Sequence, residues 1–167
     1  MKHHRTASGF VAGLLACLLA GAAHAGPVFD SAYTDLAHDC RPAYAEAELE
    51  EGQDNALRCT GPGGDRLFVF YSADDIWLSV ENAAGEALLK APLRIFDDAH
   101  GKVEWRMADG VPFAIIVRLR RDGARPETLE VRGLGADSAL SGSVPVTRGS
   151  DANAAARRLA DAHRGAR

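Results

Sequence analysis

The chain has 167 residues, a formal net charge of −4 at pH 7 and 47% hydrophobic residues. This length suits one domain with a single core. The acidic balance disfavours general nucleic-acid binding, which relies on lysine and arginine to neutralise phosphates.

The first 25 residues have the three parts of a secretory signal peptide: a basic start with Lys2 and Arg5, an apolar run over 10–20, and the small-residue ending Ala23-His24-Ala25. The apolar run is shorter than the roughly 20 residues that span a bilayer. We therefore expect cleavage after Ala25, a periplasmic or secreted product and no transmembrane segment in the mature chain. Removing 25 of the 167 residues leaves 142, and the loss of two basic residues moves the formal charge from −4 to −6.

Two cysteines, Cys40 and Cys59, remain after Cys17 leaves with the signal peptide. Lipidation of Cys17 stays open, although the large Leu15 fits a lipidation motif poorly. The spacing of the remaining pair lacks the Cys-x-x-Cys motif of redox and metal sites. Because two cysteines in an oxidising compartment normally pair, we predict a Cys40–Cys59 disulfide, worth about 3 kcal/mol of stability.

Residues 26–66 have an irregular pattern, and we predict a loosely organised segment tied by the disulfide. The acidic run 46–51 fits a short helix or an exposed loop, without the ligand spacing of a calcium loop. The glycines of 61–64 predict a turn, since no Lys-Ser/Thr of a phosphate-binding loop follows.

Residues 67–149 predict an antiparallel β meander that forms a small sandwich or barrel. The apolar run 67–71 indicates a strand covered on both faces, whereas 76–80 and 103–107 alternate as half-buried strands do. We interpret Trp77 and Trp105 as core residues rather than carbohydrate platforms.

The hairpin at Asp109-Gly110 allows two registers. A three-residue loop over 108–110 places Trp105 opposite Phe113 and keeps apolar residues on one face, so we prefer it to a two-residue turn. The same reasoning in the next hairpin places Arg118 opposite Glu130.

An arginine cluster is a candidate anion or partner patch, but acidic neighbours on the same predicted face make an ordinary paired surface the simpler interpretation. The patch comprises Arg106, Arg118, Arg120 and Arg132.

The C-terminal segment 150–167 predicts a helix docked on the sheet, followed by a short tail. Ser150 or Asp151 can cap the helix, alanines and Leu159 form a narrow apolar stripe, and arginines lie late in the sequence.

No arrangement in the mature sequence carries a catalytic signature, and we predict no cofactor. Asp97, Asp98 and His100 are compatible with a metal, but two adjacent carboxylates and one histidine without further placed ligands match no specific site.

Five strings of the mature chain resemble a family of small uncharacterised exported proteins of Gram-negative bacteria: Ser31–Leu36 before Cys40, Cys59–Gly64, Lys102–Arg106, Gly110–Arg118 and Asp151–Ala154. The resemblance implies a bacterial envelope protein with these elements in this order and brings no activity. It also gives weight to the segment 31–36, which composition leaves unexplained.

The sequence favours a mainly β (α+β) exported domain that serves as a non-catalytic binding or interaction module, with an unknown partner such as another envelope protein. A metal-assisted hydrolase using Asp97, Asp98 and His100 and a structural envelope component remain alternatives.

The signal peptide gives the first testable prediction. When the full chain is expressed with its leader in a Gram-negative host, N-terminal sequencing of the exported protein should begin at Gly26. Retention of Met1 or Lys2 on exported protein would contradict cleavage after Ala25.

Overall fold

The computed structural model describes residues 26–51, 55–72, 75–95, 101–120 and 127–166. The predicted signal peptide and the metal candidates Asp97, Asp98 and His100 lie outside these ranges. Within them, no helix is long and apolar enough to cross a membrane.

The described residues contain ten strands in two antiparallel sheets and one C-terminal α-helix. Sheet A has the order β1 (Phe29–Asp35), β7 (Lys102–Ala108), β8 (Val111–Leu119), β9 (Thr128–Gly133) and β10 (Ser141–Pro145). Sheet B has the order β2 (Cys40–Pro42), β3 (Leu57–Thr60), β4 (Arg66–Ser72), β5 (Asp75–Glu81) and β6 (Leu93–Arg94). The helix α1 covers Ala152–Gly165. The predicted mainly β fold with a C-terminal helix is confirmed. Of the two predicted alternatives, a sandwich or a barrel, the structure is a sandwich.

Sheet A has one apolar cluster on each of its two faces. Between the sheets, Leu67, Val69 and Leu78 of sheet B pack in one cluster with Trp105 and Val117 of sheet A. On the other side, a second cluster contains the inward residues of α1 and the opposite side chains of sheet A: Phe113, Ala114, Ile116, Leu129, Val131, Ala152, Ala156 and Ala160. The central strands β7, β8 and β9 of sheet A are therefore buried on both faces.

A buried hydrogen-bond chain joins the two sheets. The Trp105 indole Nε1–H donates to Thr34 Oγ1 at 2.9 Å, and the Thr34 hydroxyl donates to the Thr60 carbonyl at 3.0 Å. A Cβ at Gly61 would lie 2.4 Å from the Trp105 ring, so only glycine permits this close approach. The interpretation of Trp105 as a core residue agrees with its complete burial.

The segment 26–66 is more regular than the sequence analysis expected, because it contains three strands. β1 pairs with β7 along its whole length, from Phe29 opposite Ala108 to Asp35 opposite Lys102. These pairings are between residues far apart in sequence, which a local pattern does not reveal. The acidic run 46–51 contains one 3₁₀ turn, Glu46–Glu48.

The predicted register of the Asp109-Gly110 hairpin is wrong. Both residues have positive φ, 50° and 79°, and they form a two-residue turn between Ala108 and Val111. This is the backbone of a type I′ turn. The sequence argued against a two-residue turn because that turn would place apolar and polar residues on the same face. A bulge avoids this mixing, since Arg106 pairs with Ala114 and Met107 with Pro112.

Phe113 is the extra residue of that bulge, and it faces the helix side. Its ring lies 5.8 Å from that of Phe29, and the Arg164 guanidinium lies 6.0 Å from its centre. Trp105 consequently pairs with Ile115 instead of Phe113.

The predicted register of β8 and β9 is also wrong, by one residue. Val117, not Arg118, lies opposite Glu130, and Arg118 lies opposite Leu129. β8 is apolar on both faces, so its pattern could not identify the face that meets the other sheet. Leu129 therefore packs beneath α1, and Glu130 shares the face of Val117.

The helix is fixed to sheet A by charged contacts as well as by apolar packing. Asp151 accepts a hydrogen bond from the Ala154 amide, which confirms it as the N-cap. Arg106 forms two 2.7 Å hydrogen bonds with Asp161, and Arg157 Nε lies 2.6 Å from Glu104 Oε1. The hydrogen bond with Glu104 raises the pKa of Arg157, so this cation stays charged.

The predicted disulfide between Cys40 and Cys59 is confirmed. The two cysteines lie directly opposite each other in β2 and β3. Cys59 is buried and Cys40 packs against the same inter-sheet cluster. The bond therefore holds β2, an edge strand of three residues, against the rest of sheet B.

The bidentate contact beneath α1 gives a stability prediction. Arg106→Ala should lower the free energy of unfolding by about 2 kcal/mol, because it removes the charge-assisted hydrogen bonds between Arg106 and Asp161 and puts no other cation beside Asp161. Arg148→Ala, at an exposed position, should change it by less than about 0.5 kcal/mol. Equal effects in urea denaturation would contradict the anchoring role of Arg106.

Candidate functional site

The four arginines of the predicted anion patch lie in three different settings. Arg106 faces α1 and is only 10% exposed. Arg118 and Arg120 share Glu127, at 3.1 and 3.7 Å.

Arg132 lies in β9, whose register differs by one residue from the predicted one. It lies opposite Ile115 and forms a 2.8 Å ion pair with Glu130. The expected pair between Arg118 and Glu130 is not formed, since Glu127 takes that place beside Arg118. The structure therefore does not bring the four arginines together in one surface.

Metal-ligating groups do not converge in the part of the chain that the structure describes. No three or more histidine, cysteine, aspartate or glutamate side chains are arranged there to hold an ion. The predicted candidates Asp97, Asp98 and His100 lie outside that part.

A different set of side chains comes together on the outer face of sheet B. In β4, Leu67 and Val69 are fully buried between the sheets, so the alternation of a strand directs Phe68 and Phe70 to the other side. In β5, the burial of Leu78 and Val80 places the intervening residues outward in the same way. We call the resulting surface the aromatic–arginine face: Arg41, Arg58, Arg66, Phe68, Phe70, Trp77 and Arg94.

Three aromatic rings occupy the middle of the aromatic–arginine face. Phe70 lies directly opposite Trp77, and Phe68 lies two residues from Phe70 along β4. All three side chains are half-buried. The interpretation of Trp77 as a core residue is therefore wrong, and β4 is not covered on both faces to the extent that its apolar run suggested.

Arginines surround these rings. Arg94 lies opposite Trp77 and forms an ion pair with Asp75. Arg66 donates to the Asn82 carbonyl at 3.0 Å and lies 3.7 Å from Glu81.

Arg41 and Arg58 form an unusual pair, because they lie directly opposite each other in β2 and β3. Like charges at opposed positions destabilise a sheet. Neither side chain forms an ion pair with a carboxylate of the described residues. Arg58 also lies opposite Phe68, so the pair adjoins the aromatic rings. The cost of this juxtaposition is lowered when an anion lies between the two guanidinium groups.

The local charge of the aromatic–arginine face is opposite to that of the whole chain. Four arginines share this side of sheet B with the carboxylates Asp75 and Glu81, whereas the whole chain has a formal charge of −4. The rings offer flat apolar faces, and the guanidinium groups offer donors in a planar fork that suits carboxylates and phosphates. The surface can thus hold a partner that combines anionic groups with flat apolar faces.

The disulfide positions part of this surface. Cys40 and Cys59 point inward, so their neighbours Arg41 and Arg58 point outward as a pair. The sequence contained a signal for the surface: in the string Arg66-Leu67-Phe68-Val69-Phe70, alternate positions carry aromatic and basic side chains. Because Phe68 and Phe70 are as hydrophobic as the buried Leu67 and Val69, the alternation of the two faces was not visible as a hydrophobic–polar pattern.

Comparisons of the chain with protein-family models, with curated proteins and with solved structures return no match.

The opposed arginines predict that one substitution stabilises the fold. Arg41→Glu should raise the free energy of unfolding by about 0.2–1 kcal/mol, since an opposite-charge pair with Arg58 replaces a like-charge pair. Arg148→Glu makes the same change of charge at an exposed site outside both sheets and should leave the value within about 0.5 kcal/mol. Urea denaturation of both variants measures the effect, and a loss of stability in Arg41→Glu would contradict the proposed repulsion.

Proposed function

We propose that this protein is an exported binding module that holds an acidic carbohydrate chain on the aromatic–arginine face. The observation that carries the proposal is the Arg41–Arg58 pair beside Phe68. This pair opposes two like charges in a sheet without an intramolecular counterion among the described residues. Like charges that lie directly opposite each other reduce the stability of a sheet, and an anionic ligand between them offsets that cost.

The shape of the surface favours a stacked ligand over a lipid bilayer. The rings of Phe68, Phe70 and Trp77 are half-buried rather than protruding, whereas side chains that anchor a protein in a membrane insert into it. Sugar rings present flat C–H faces that stack on such aromatics, and uronate carboxylates match the arginine forks.

The charge of the molecule favours a uronate chain over a nucleic acid. Duplex DNA carries one phosphate charge per roughly 1.7 Å, and the net negative charge of this protein opposes so dense a polyanion. A uronic-acid polymer has one charge per sugar ring, which four arginines at separate positions can match.

Export supports the same function. The N-terminal 25 residues have the composition of a signal peptide, and Cys40 is joined to Cys59. Structural disulfides are characteristic of oxidising compartments outside the cytosol, where envelope and extracellular polysaccharides occur.

A binding assay tests the proposal. The mature chain should bind polygalacturonate and should not bind dextran, a neutral polysaccharide. The affinity should fall between 50 and 500 mM salt, because the Debye length shortens from roughly 14 to 4 Å over that range.

Matched variants locate the site. Arg41→Glu should weaken polygalacturonate binding about tenfold or more, the consequence of losing a charge-assisted hydrogen bond of about 1.5–3 kcal/mol. Trp77→Ala should weaken it as well, whereas Tyr33→Ala, which removes an exposed aromatic side chain from sheet A, should not. Thermal melting of each variant controls for folding.

Three results would contradict the proposal: equal binding of dextran, tighter binding of single-stranded DNA, or an affinity unchanged by Arg41→Glu and Trp77→Ala.

A further inference from the structure

A cleft of ≈ 380 Å³ lies at the end of the sandwich where the segment 89–93 approaches β9 and the turn before β10. Its volume is within the range of small-molecule sites. The cleft shares no residue with the aromatic–arginine face, since Leu93 lines it whereas the next residue, Arg94, points to the outer side of sheet B.

Three leucines form the apolar part of the cleft wall. Leu89 and Leu93 come from the inter-sheet cluster, and Leu140 comes from the cluster beneath α1. Each is at most 9% exposed, so these side chains are held by the two cores. A ligand that enters the cleft must present an apolar body to these walls.

One cation of the cleft is rigidly held. Arg132 Nη1 donates to the carbonyls of Val131 and Gly142, at 3.0 and 3.2 Å, and Nη2 lies 2.8 Å from Glu130 Oε2. The Glu130 side chain is only 8% exposed. These contacts fix the orientation of the guanidinium group before any ligand arrives, which reduces the entropic cost of binding.

A second cation, Lys90, lines the same cleft. It is exposed and forms no ion pair with a carboxylate of the described residues. Ser138 and Ser141 add hydroxyl groups to the lining. Because Glu130 balances the charge of Arg132, the two cations leave one net positive charge at the cleft.

We propose that this cleft binds a small amphipathic carboxylate, a molecule with one negative charge and an apolar body. A single net positive charge matches a monoanion better than a phosphate monoester, whose charge is about −1.5 to −2 at pH 7. The carboxylate lies between Lys90 and the Arg132 guanidinium, and the apolar body lies against Leu89, Leu93 and Leu140. This site is independent of the carbohydrate function, so either can fail without the other.

Octanoate and octan-1-ol are a matched pair of probes, since they share the apolar chain and differ in charge. In isothermal calorimetry the mature chain should bind octanoate at least about tenfold more tightly than octan-1-ol. Absence of octanoate binding would overturn the proposal. Equal affinities for the two probes would also overturn it, because the site would then recognise only the apolar chain.

Charge variants place the ligand in the cleft. Lys90→Glu should weaken octanoate binding about tenfold or more, whereas Lys102→Glu, the same change at an exposed site on sheet A, should not. An octanoate affinity that is unchanged in Lys90→Glu would overturn the proposal.

A double variant tests Arg132 without leaving Glu130 buried and unpaired. Glu130→Gln combined with Arg132→Gln should weaken octanoate binding while the folded protein, verified by circular dichroism, keeps its affinity for polygalacturonate. Octanoate affinity equal to that of the parent chain in this folded variant would exclude Arg132 from the site and overturn the proposal.

Discussion

The contacts between β7 and α1 decide which sheet of the sandwich the helix covers. Glu104 and Arg106 point to the side of sheet A away from the other sheet, where they would be costly to bury without partners. Arg157 and Asp161 of α1 supply those partners at 2.6–2.7 Å. The helix therefore covers sheet A, and among the described residues no helix covers the arginines and aromatic rings on the outer face of sheet B.

Arginines on the two sheets have different surroundings. Arg106 has a bidentate carboxylate partner and joins two elements of the fold, so its role is structural. Arg41 and Arg58 oppose each other across two strands of sheet B, and their arrangement does not stabilise the fold. Like charges at directly opposed positions reduce the stability of a sheet, and the proposed anionic ligand offsets that cost.

Sequence patterns predicted the elements better than their pairing. The strands around Trp77 and Val103 and the capped helix beginning at Ala152 follow from periodicity and capping. The strand registers at Phe113 and Glu130 could not be predicted from these patterns, because β8 is apolar on both faces. In addition, the bulge at Phe113 shifts by one residue which side chains share a face on the two sides of it. β1 escaped prediction because its partner, β7, is distant in sequence.

The candidate site was also only partly predictable. The sequence drew attention to the arginines late in the chain, which the structure separates into three settings with acidic partners. The arginines of sheet B lie at positions 41, 58, 66 and 94 of the sequence, and only the pairing of all five strands of this sheet assembles them. The disulfide was predictable from the expected export of the chain, but its role in holding Arg41 beside Arg58 required the register of β2 and β3.

The central claim is that the outer face of sheet B is the binding surface, and backbone-amide NMR during titration with a galacturonate oligosaccharide tests it most directly. The account predicts that the amides whose shifts change most belong to β2 through β6, with Arg58, Phe68 and Trp77 among them. Shift changes concentrated instead in α1 and β9 would contradict it.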